Sequence, residues 1–289
     1  MKWSIALAAG LTISAPGTMA QKPDTAQIVV HYKFTHIRDT TNRNNPDSGN
    51  WVLLVGKTAS AYRRYSTQTQ QDIARQTKQP ATIAAGRNSA LVYYQFLREK
   101  KLVRRDPILF TNFVVSEPLP AISWHISNDT ASFGSLHCQK ATCHFKGRDY
   151  IAWFCPDLPV AAGPWKLNGL PGVIVDACDT KKEVCFSFDG IEKIETPVTV
   201  NEKPVDGRPP MGGPLIAEGN QLIIKMPNNA TPTTEKELAR LNELGRKDPK
   251  ALVIALVGPQ DPGTPGPKID MVMAPEPVVN NPIELPEKR

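Results

Sequence analysis

The chain has 289 residues, of which 40% are hydrophobic and 21% charged, a composition that supports one ordinary hydrophobic core and excludes a fully disordered polymer. Of its 27 prolines, 16 fall in the 93 residues from Pro197 to Arg289, so that third is expected to be loop-rich, with little room for packed helices or central strands. Thirty-four basic against 28 acidic side chains give +6, with no Lys/Arg run that would track phosphates, which sets nucleic acid aside as a partner.

At the N-terminus Lys2 opens a short positive segment, Ile5 to Ile13 is mostly apolar, and Thr18-Met19-Ala20 places small residues where a signal peptidase reads. The expectation is a secretory signal over residues 1–20 with cleavage after Ala20. A transmembrane helix would need about 20 apolar residues, and Pro16-Gly17 interrupts this run. Gln21 offers no lipoprotein attachment point, and no later stretch is long enough to span a bilayer. The expected location is an oxidising compartment, the periplasm or the vicinity of the outer membrane.

Ile28 to Thr35 is β-branched and aromatic with partial alternation, which predicts a strand over Gln27 to His36. Asp39 to Asn50 reads as a polar loop and Trp51 to Val55 as a second strand, closed by Gly56. Tyr62 to Gly86 is polar, with little to bury, and reads as a surface excursion. Leu91, Tyr94 and Leu97 fit a helical stripe, but the aromatic content and the following Leu102-Val103 and Ile108 to Val115 favour strands in a meander. Trp124-His125-Ile126, Leu136 to Lys140 and Tyr150 to Phe154 continue the series. Val173 to Phe188 reads as a hairpin about the polar turn Asp179 to Lys182, Ile191 to Val200 as extended, and Leu222 to Ile224 as a short strand. Thr234 and Glu237 form a capping box ahead of Leu238, Leu241 and Leu244, predicting a helix from Glu235 to Arg246. Pro259 to Pro267 reads as a linker. The fold class is therefore mainly β: an antiparallel meander sheet, an open or half barrel, with one or two short helices. The divisions are a signal over 1–20, a β-rich domain over 21–226, and a helix plus Pro-rich C-terminal extension over 227–289.

Five cysteines cannot all pair within one exported chain. Cys178 and Cys185 flank the hairpin turn, where opposed strand residues stand close enough for a disulfide. Cys138 and Cys143 are expected to form the other disulfide, which leaves Cys155 as a buried free thiol. The competing reading of the first pair is a soft-metal site of His137, Cys138, Cys143 and His144. Adjacent His and Cys face opposite sides of a strand, so the disulfide is preferred and neither metal nor cofactor is expected.

Gly169-Leu170-Pro171-Gly172-Val173-Ile174 resembles the signature of the GLPGLI family of bacterial exported proteins, with Val173 where the name has Leu. Trp124-His125-Ile126, Cys138 to Thr142, Gly147-Arg148-Asp149-Tyr150, Ala152-Trp153-Phe154 and Gly163-Pro164 stand upstream in the family's order, and Asn281 to Leu285 is similar to its usual end. Cys155-Pro156-Asp157 departs from the family's pattern. The resemblance implies export in Gram-negative bacteria and a β-rich fold, and it carries no established activity.

The signature has a structural explanation in which Pro171 and Gly172 fill the central positions of a type II turn, with Gly172 at positive φ. Tyr150, Trp153, Phe154 and Trp165 are expected to form an aromatic core rather than a stacking platform. Arg148 could grip a carboxylate or phosphate, but an ion pair with Asp149 or another acid is the plainer expectation. No Gly-x-Ser-x-Gly, His-Glu-x-x-His or phosphate-binding glycine loop occurs. The leading expectation is an exported, non-enzymatic envelope protein whose sheet binds an apolar ligand or a partner protein. The alternatives are a secreted hydrolase using an acid pair or Cys155, and a soft-metal binder.

Overall fold

The computed structural model describes residues 22–65, 91–109, 111–194, 222–227, 230–257 and 279–287. Among the described residues the chain is mainly β. The strands in order are β1 (Asp24–Thr25), β2 (Ile28–His36), β3 (Asp47–Val55), β4 (Ala59–Arg64), β5 (Val92–Phe96), β6 (Lys101–Ile108) and β7 (Thr111–Pro118). They are followed by β8 (His125–Phe133), β9 (Leu136–Phe145), β10 (Arg148–Cys155), β11 (Val173–Asp179), β12 (Val184–Lys193), β13 (Ile223–Ile224) and β14 (Thr231–Pro232). Two helices close the order, α1 (Glu235–Lys247) and α2 (Pro249–Val257). The signal expected over residues 1–20, most of the excursion to Gly86, the end of the stretch to Val200 and the Pro259 to Pro267 linker lie outside the described residues.

Twelve strands form one open sheet in the order β14-β7-β6-β5-β4-β3-β2-β12-β11-β10-β9-β8, and β1 pairs with β13 separately. All neighbours in the large sheet are antiparallel except β14, which lies parallel to β7. Two runs are meanders, β2 to β7 and β8 to β12, and the antiparallel pair β2/β12 joins them. The uninterrupted apolar run Trp51 to Val55 explains the middle of the sheet. Its alternate side chains bury on opposite faces, Leu53 and Val55 in one cluster, Val52 and Leu54 in the other.

Two differences from the sequence reading concern strand limits. The polar loop is shorter than its composition suggests and ends at Pro46, because Asp47 to Asn50 pair with His36 to Lys33 and extend the hairpin. Tyr62, expected on a surface excursion, is buried on β4 and stacks on Trp51 with ring centroids 4.8 Å apart. The helix α1 begins as its capping box predicts, with the Thr234 hydroxyl accepting from the Glu237 N–H. Leu238, Leu241 and Leu252 of the helices bury against Ile108, Phe113 and Val115 at the β7 end of the sheet. No helix among the described residues is long and apolar enough to cross a membrane.

Candidate functional site

The signature forms a loop between β10 and β11 that folds back onto the sheet. Its closure rests on Gln95 of β5, a buried amide whose Nε2 lies 3.1, 3.2 and 3.0 Å from the carbonyl oxygens of Gly163, Trp165 and Leu167. Trp124 donates its indole N–H to the Asn168 carbonyl at 2.8 Å, and the Asn168 amide reaches the Pro120 and Lys166 carbonyls. Leu170 is buried, Pro171 is exposed, and the glycine at positive φ in this loop is Gly169 (+91°), not Gly172. That overturns the expected turn geometry. Gly172 is instead a packing glycine, since a Cβ there would stand 2.2 Å from the Cys155 carbonyl oxygen.

The aromatic residues around this loop are core. Tyr150, Phe154 and Trp165 are buried, and Trp153 is half-buried with its ring 5.9 Å from that of Phe133. Burial raises the Tyr32 and Tyr62 phenols well above their ordinary values, and Tyr32 donates to the Ile174 carbonyl.

Arg148 begins β10 just after a turn in which Lys146 and Gly147 both take positive φ, the geometry of a type I′ hairpin. Its five N–H donors match five hydrogen bonds: Nη1 to Asp179 (2.6 Å) and Glu183 (3.3 Å), Nη2 to the Asn281 side chain (2.6 Å) and the Pro282 carbonyl (2.8 Å), and Nε to the Ile283 carbonyl (3.0 Å). The expected ion pair with an acid is made, to Asp179 and Glu183 and not to Asp149, which bonds the exposed His144, itself bonded to Glu287. The start of β10, the β11/β12 turn and the terminal Asn281 to Ile283, distant in the chain, thus meet at one buried guanidinium. Burial works against the Glu183 carboxylate, yet its bonds from Arg43 and Arg148 hold it below the ordinary range. A Cβ on Gly147 would fall 2.7 Å from the Leu285 carbonyl oxygen, so the terminal segment also explains that glycine.

Beside this anchor lies a cleft of about 400 Å³ lined by Tyr93, Arg104, Glu117, Lys146, Lys166, Glu235 and the segment Pro282 to Glu284. Lys166 is 4% exposed, and its ammonium sits 2.8 Å from both Glu117 and Glu284. Burial alone would lower its pKa, but the two carboxylates hold it above the ordinary lysine value. Lys146 pairs with Glu284 at 3.1 Å, and Arg104 with Glu235 at 2.9 Å. Burial pushes the Glu284 carboxyl up, and the two lysines more than offset that, leaving it below its usual range. Three cations therefore face three carboxylates, each engaged in the cleft. In the sequence Glu284 falls within the terminal motif Asn281 to Leu285, and nothing near Lys166, Gln95, Tyr93 or Glu117 in the chain signals a common destination.

Cys178 and Cys185 are opposed on β11 and β12 and form a disulfide, as expected. Cys138 and Cys143 do not pair, which corrects the second bridge. Both lie on β9, five residues apart, so they are separated by about 16 Å of extended chain, well beyond the span of a disulfide. The soft-metal set is not brought together either: His137 and His144 are exposed while Cys138 and Cys143 are buried. Among the described residues no group of three or more His, Cys, Asp and Glu is placed to hold a metal ion. Cys155 is fully buried, with a free thiol.

A family described as "Protein of unknown function (Porph_ging)" matches residues 145–176, the stretch from the β9/β10 turn through the signature into β11. No curated protein matches the chain. Among solved structures it is similar to "Structure of PNGF-II in P21 space group", at 11% identity and TM-score 0.48, and to the same protein in the C2 space group, at 11% identity and TM-score 0.47. Each alignment covers 74% of this chain and 32% of the other, so this chain spans about a third of that protein's length. Over residues 145–176, then, the chain is similar to a family whose function is not established.

Proposed function

We propose that the chain is a non-enzymatic binding domain of the cell envelope that receives a polar, charged segment of a partner protein in the cleft around Lys166. The single observation that carries this reading is the lining: six charged side chains, three of each sign, with one phenol. Of the two occupants considered from the sequence, a partner protein suits this lining and an apolar ligand does not. The aromatic side chains that motivated the apolar ligand are spent in the core. The acids of the cleft are committed to lysine or arginine, so the arrangement suits exchange of ion pairs with an incoming segment better than proton transfer. The partner is expected at the envelope because the N-terminus reads as a secretory signal.

The test is retention of an envelope component by the immobilised chain. Retention is expected at low salt, should fall steeply at about 1 M salt, where charges are screened beyond about 3 Å, and should be lost in a Lys146→Glu variant whose unfolding transition is unchanged. A folded protein that retains nothing, or retention indifferent to both salt and the variant, overturns the proposal. Strong enhancement of a fluorescent apolar probe would favour the apolar-ligand reading instead.

A further inference from the structure

Three cysteines remain outside the Cys178–Cys185 disulfide, and their placement is not equivalent. The β9/β10 ladder runs without a register break from Arg148 opposite Phe145 to Phe154 opposite Gln139. One step further along the same antiparallel register puts Cys155 opposite Cys138. The two are 0% and 2% exposed and share one core cluster. Directly opposed residues of antiparallel strands have Cα atoms about 4.5 to 5.5 Å apart, inside the range that a disulfide spans. Cys143 sits elsewhere on β9, opposite Tyr150.

We propose that Cys138 and Cys155 are a second disulfide of the oxidised protein, leaving Cys143 as its one unpaired cysteine. The bond would close the open end of the hairpin whose other end is the Lys146-Gly147 turn. It would also brace the strand end whose Cys155 carbonyl abuts Gly172 of the signature loop. Its formation is a two-electron exchange with a small-molecule or protein disulfide. The Cys138 and Cys155 S–H bonds are lost, one S–S bond forms between them, and the oxidant's S–S bond breaks to give two thiols that take up both protons and both electrons. In the reduced, folded protein the two thiols hydrogen-bond, and burial followed by the Cys155 thiol pushes Cys138 up to about 12. Attack requires a thiolate, so oxidation belongs to the folding chain, before the strand end is buried.

The sequence makes the test direct, because trypsin cleavage after Lys140, Lys146, Arg148, Lys166, Lys181 and Lys182 puts each of the five cysteines on its own peptide. The full chain is refolded from denaturant with reduced and oxidised glutathione, alkylated without reduction under denaturing conditions, and mapped by mass spectrometry. The same map is made on chain recovered from a bacterial periplasm. The expected result is two cross-linked peptide pairs, 138 with 155 and 178 with 185, and alkylation confined to Cys143. A Cys143→Ser variant should keep the 138–155 link and abolish alkylation. Alkylation or glutathione adducts at both Cys138 and Cys155, or a link from either to Cys143, in both preparations overturns the proposal. A 138–155 link in either preparation supports it.

Discussion

Arg148 shows how much one side chain carries in this protein. With Asp179 and Glu183 beside it and three acceptors from Asn281, Pro282 and Ile283, it neutralises buried carboxylates and ties down a remote segment. Replacing it by Ala strands those carboxylates in the interior, and the expected loss is about 3 to 5 kcal/mol in denaturant unfolding. Lys at this position supplies a point charge without the fork, so Arg148→Lys should also be clearly destabilising. A near-neutral Arg148→Lys would show that charge alone suffices.

Two histidines hold the same terminal segment with opposite pH signs. Burial lowers His36 below 6.5, against the pull of its bond to the Asn281 carbonyl; Arg38 and Arg148 reinforce the lowering and Asp47 opposes it. The unfolded chain therefore takes up the proton first, and the stability from neutral His36 is present above about pH 6.5 and lost as pH falls through its folded value. His144 is raised by its bonds to Asp149 and Glu287, so its contribution is present below about pH 6.5 and lost as pH rises through its folded value. His144 and its partners are exposed, which makes its share the smaller. Melting temperature followed from pH 8 to pH 5 should show an acid decline that His36→Gln flattens and His144→Gln steepens. An unchanged slope in His36→Gln would remove His36 from the account.

Among the elements, the signature loop depends on close backbone approach. Ala at Gly172 would place its Cβ against the Cys155 carbonyl, and backbone on both sides leaves little room to relax. Gly134, unlike Gly172, has positive φ, but a Cβ there meets nothing within 4 Å. Gly172→Ala should therefore lower the melting temperature well beyond Gly134→Ala, whose cost is backbone strain of about 1 to 2 kcal/mol. Equal effects would mean the loop yields.

The elements differ in how plainly the sequence announced them. Strand β2 and the β11/β12 hairpin carry β-branched and aromatic runs around polar turns, and both are where the pattern puts them. Strand β4 escaped because Ala59, Ser60 and Ala61 are small, and their burial is decided by β3 and β5 on either side. Helix α2 had no separate signal, since Ala251 to Val257 is apolar all round and could serve as strand or helix.

At the scale of the whole molecule, the described segments after residue 226 pack on the sheet. Strand β14 pairs with β7, helices α1 and α2 bury leucines at that end, and Asn281 to Leu285 docks on Arg148. A chain ending at residue 279 should lose stability by an amount that overlaps with the Arg148→Ala loss. In the double variant the two losses are expected to fall short of their sum by about 1 kcal/mol or more, the coupling seen for residues in contact. Additivity would show that the segment and Arg148 act independently.

What the sequence alone determined is what neighbouring residues encode: strand and turn patterning, a hairpin disulfide seven positions apart, and a capped helix. The expectation of export likewise rests on the first 20 residues and nothing else. Only the tertiary structure decided that the Cys138 thiol lies beside that of Cys155 and is not paired with Cys143, that Arg148 is consumed by Asp179 and the terminal segment, and that Lys166 draws Glu117 and Glu284 into one cleft. These pairings depend on which strands lie side by side and in what register. That is set by burying the whole sheet at once, and no spacing along the chain records it.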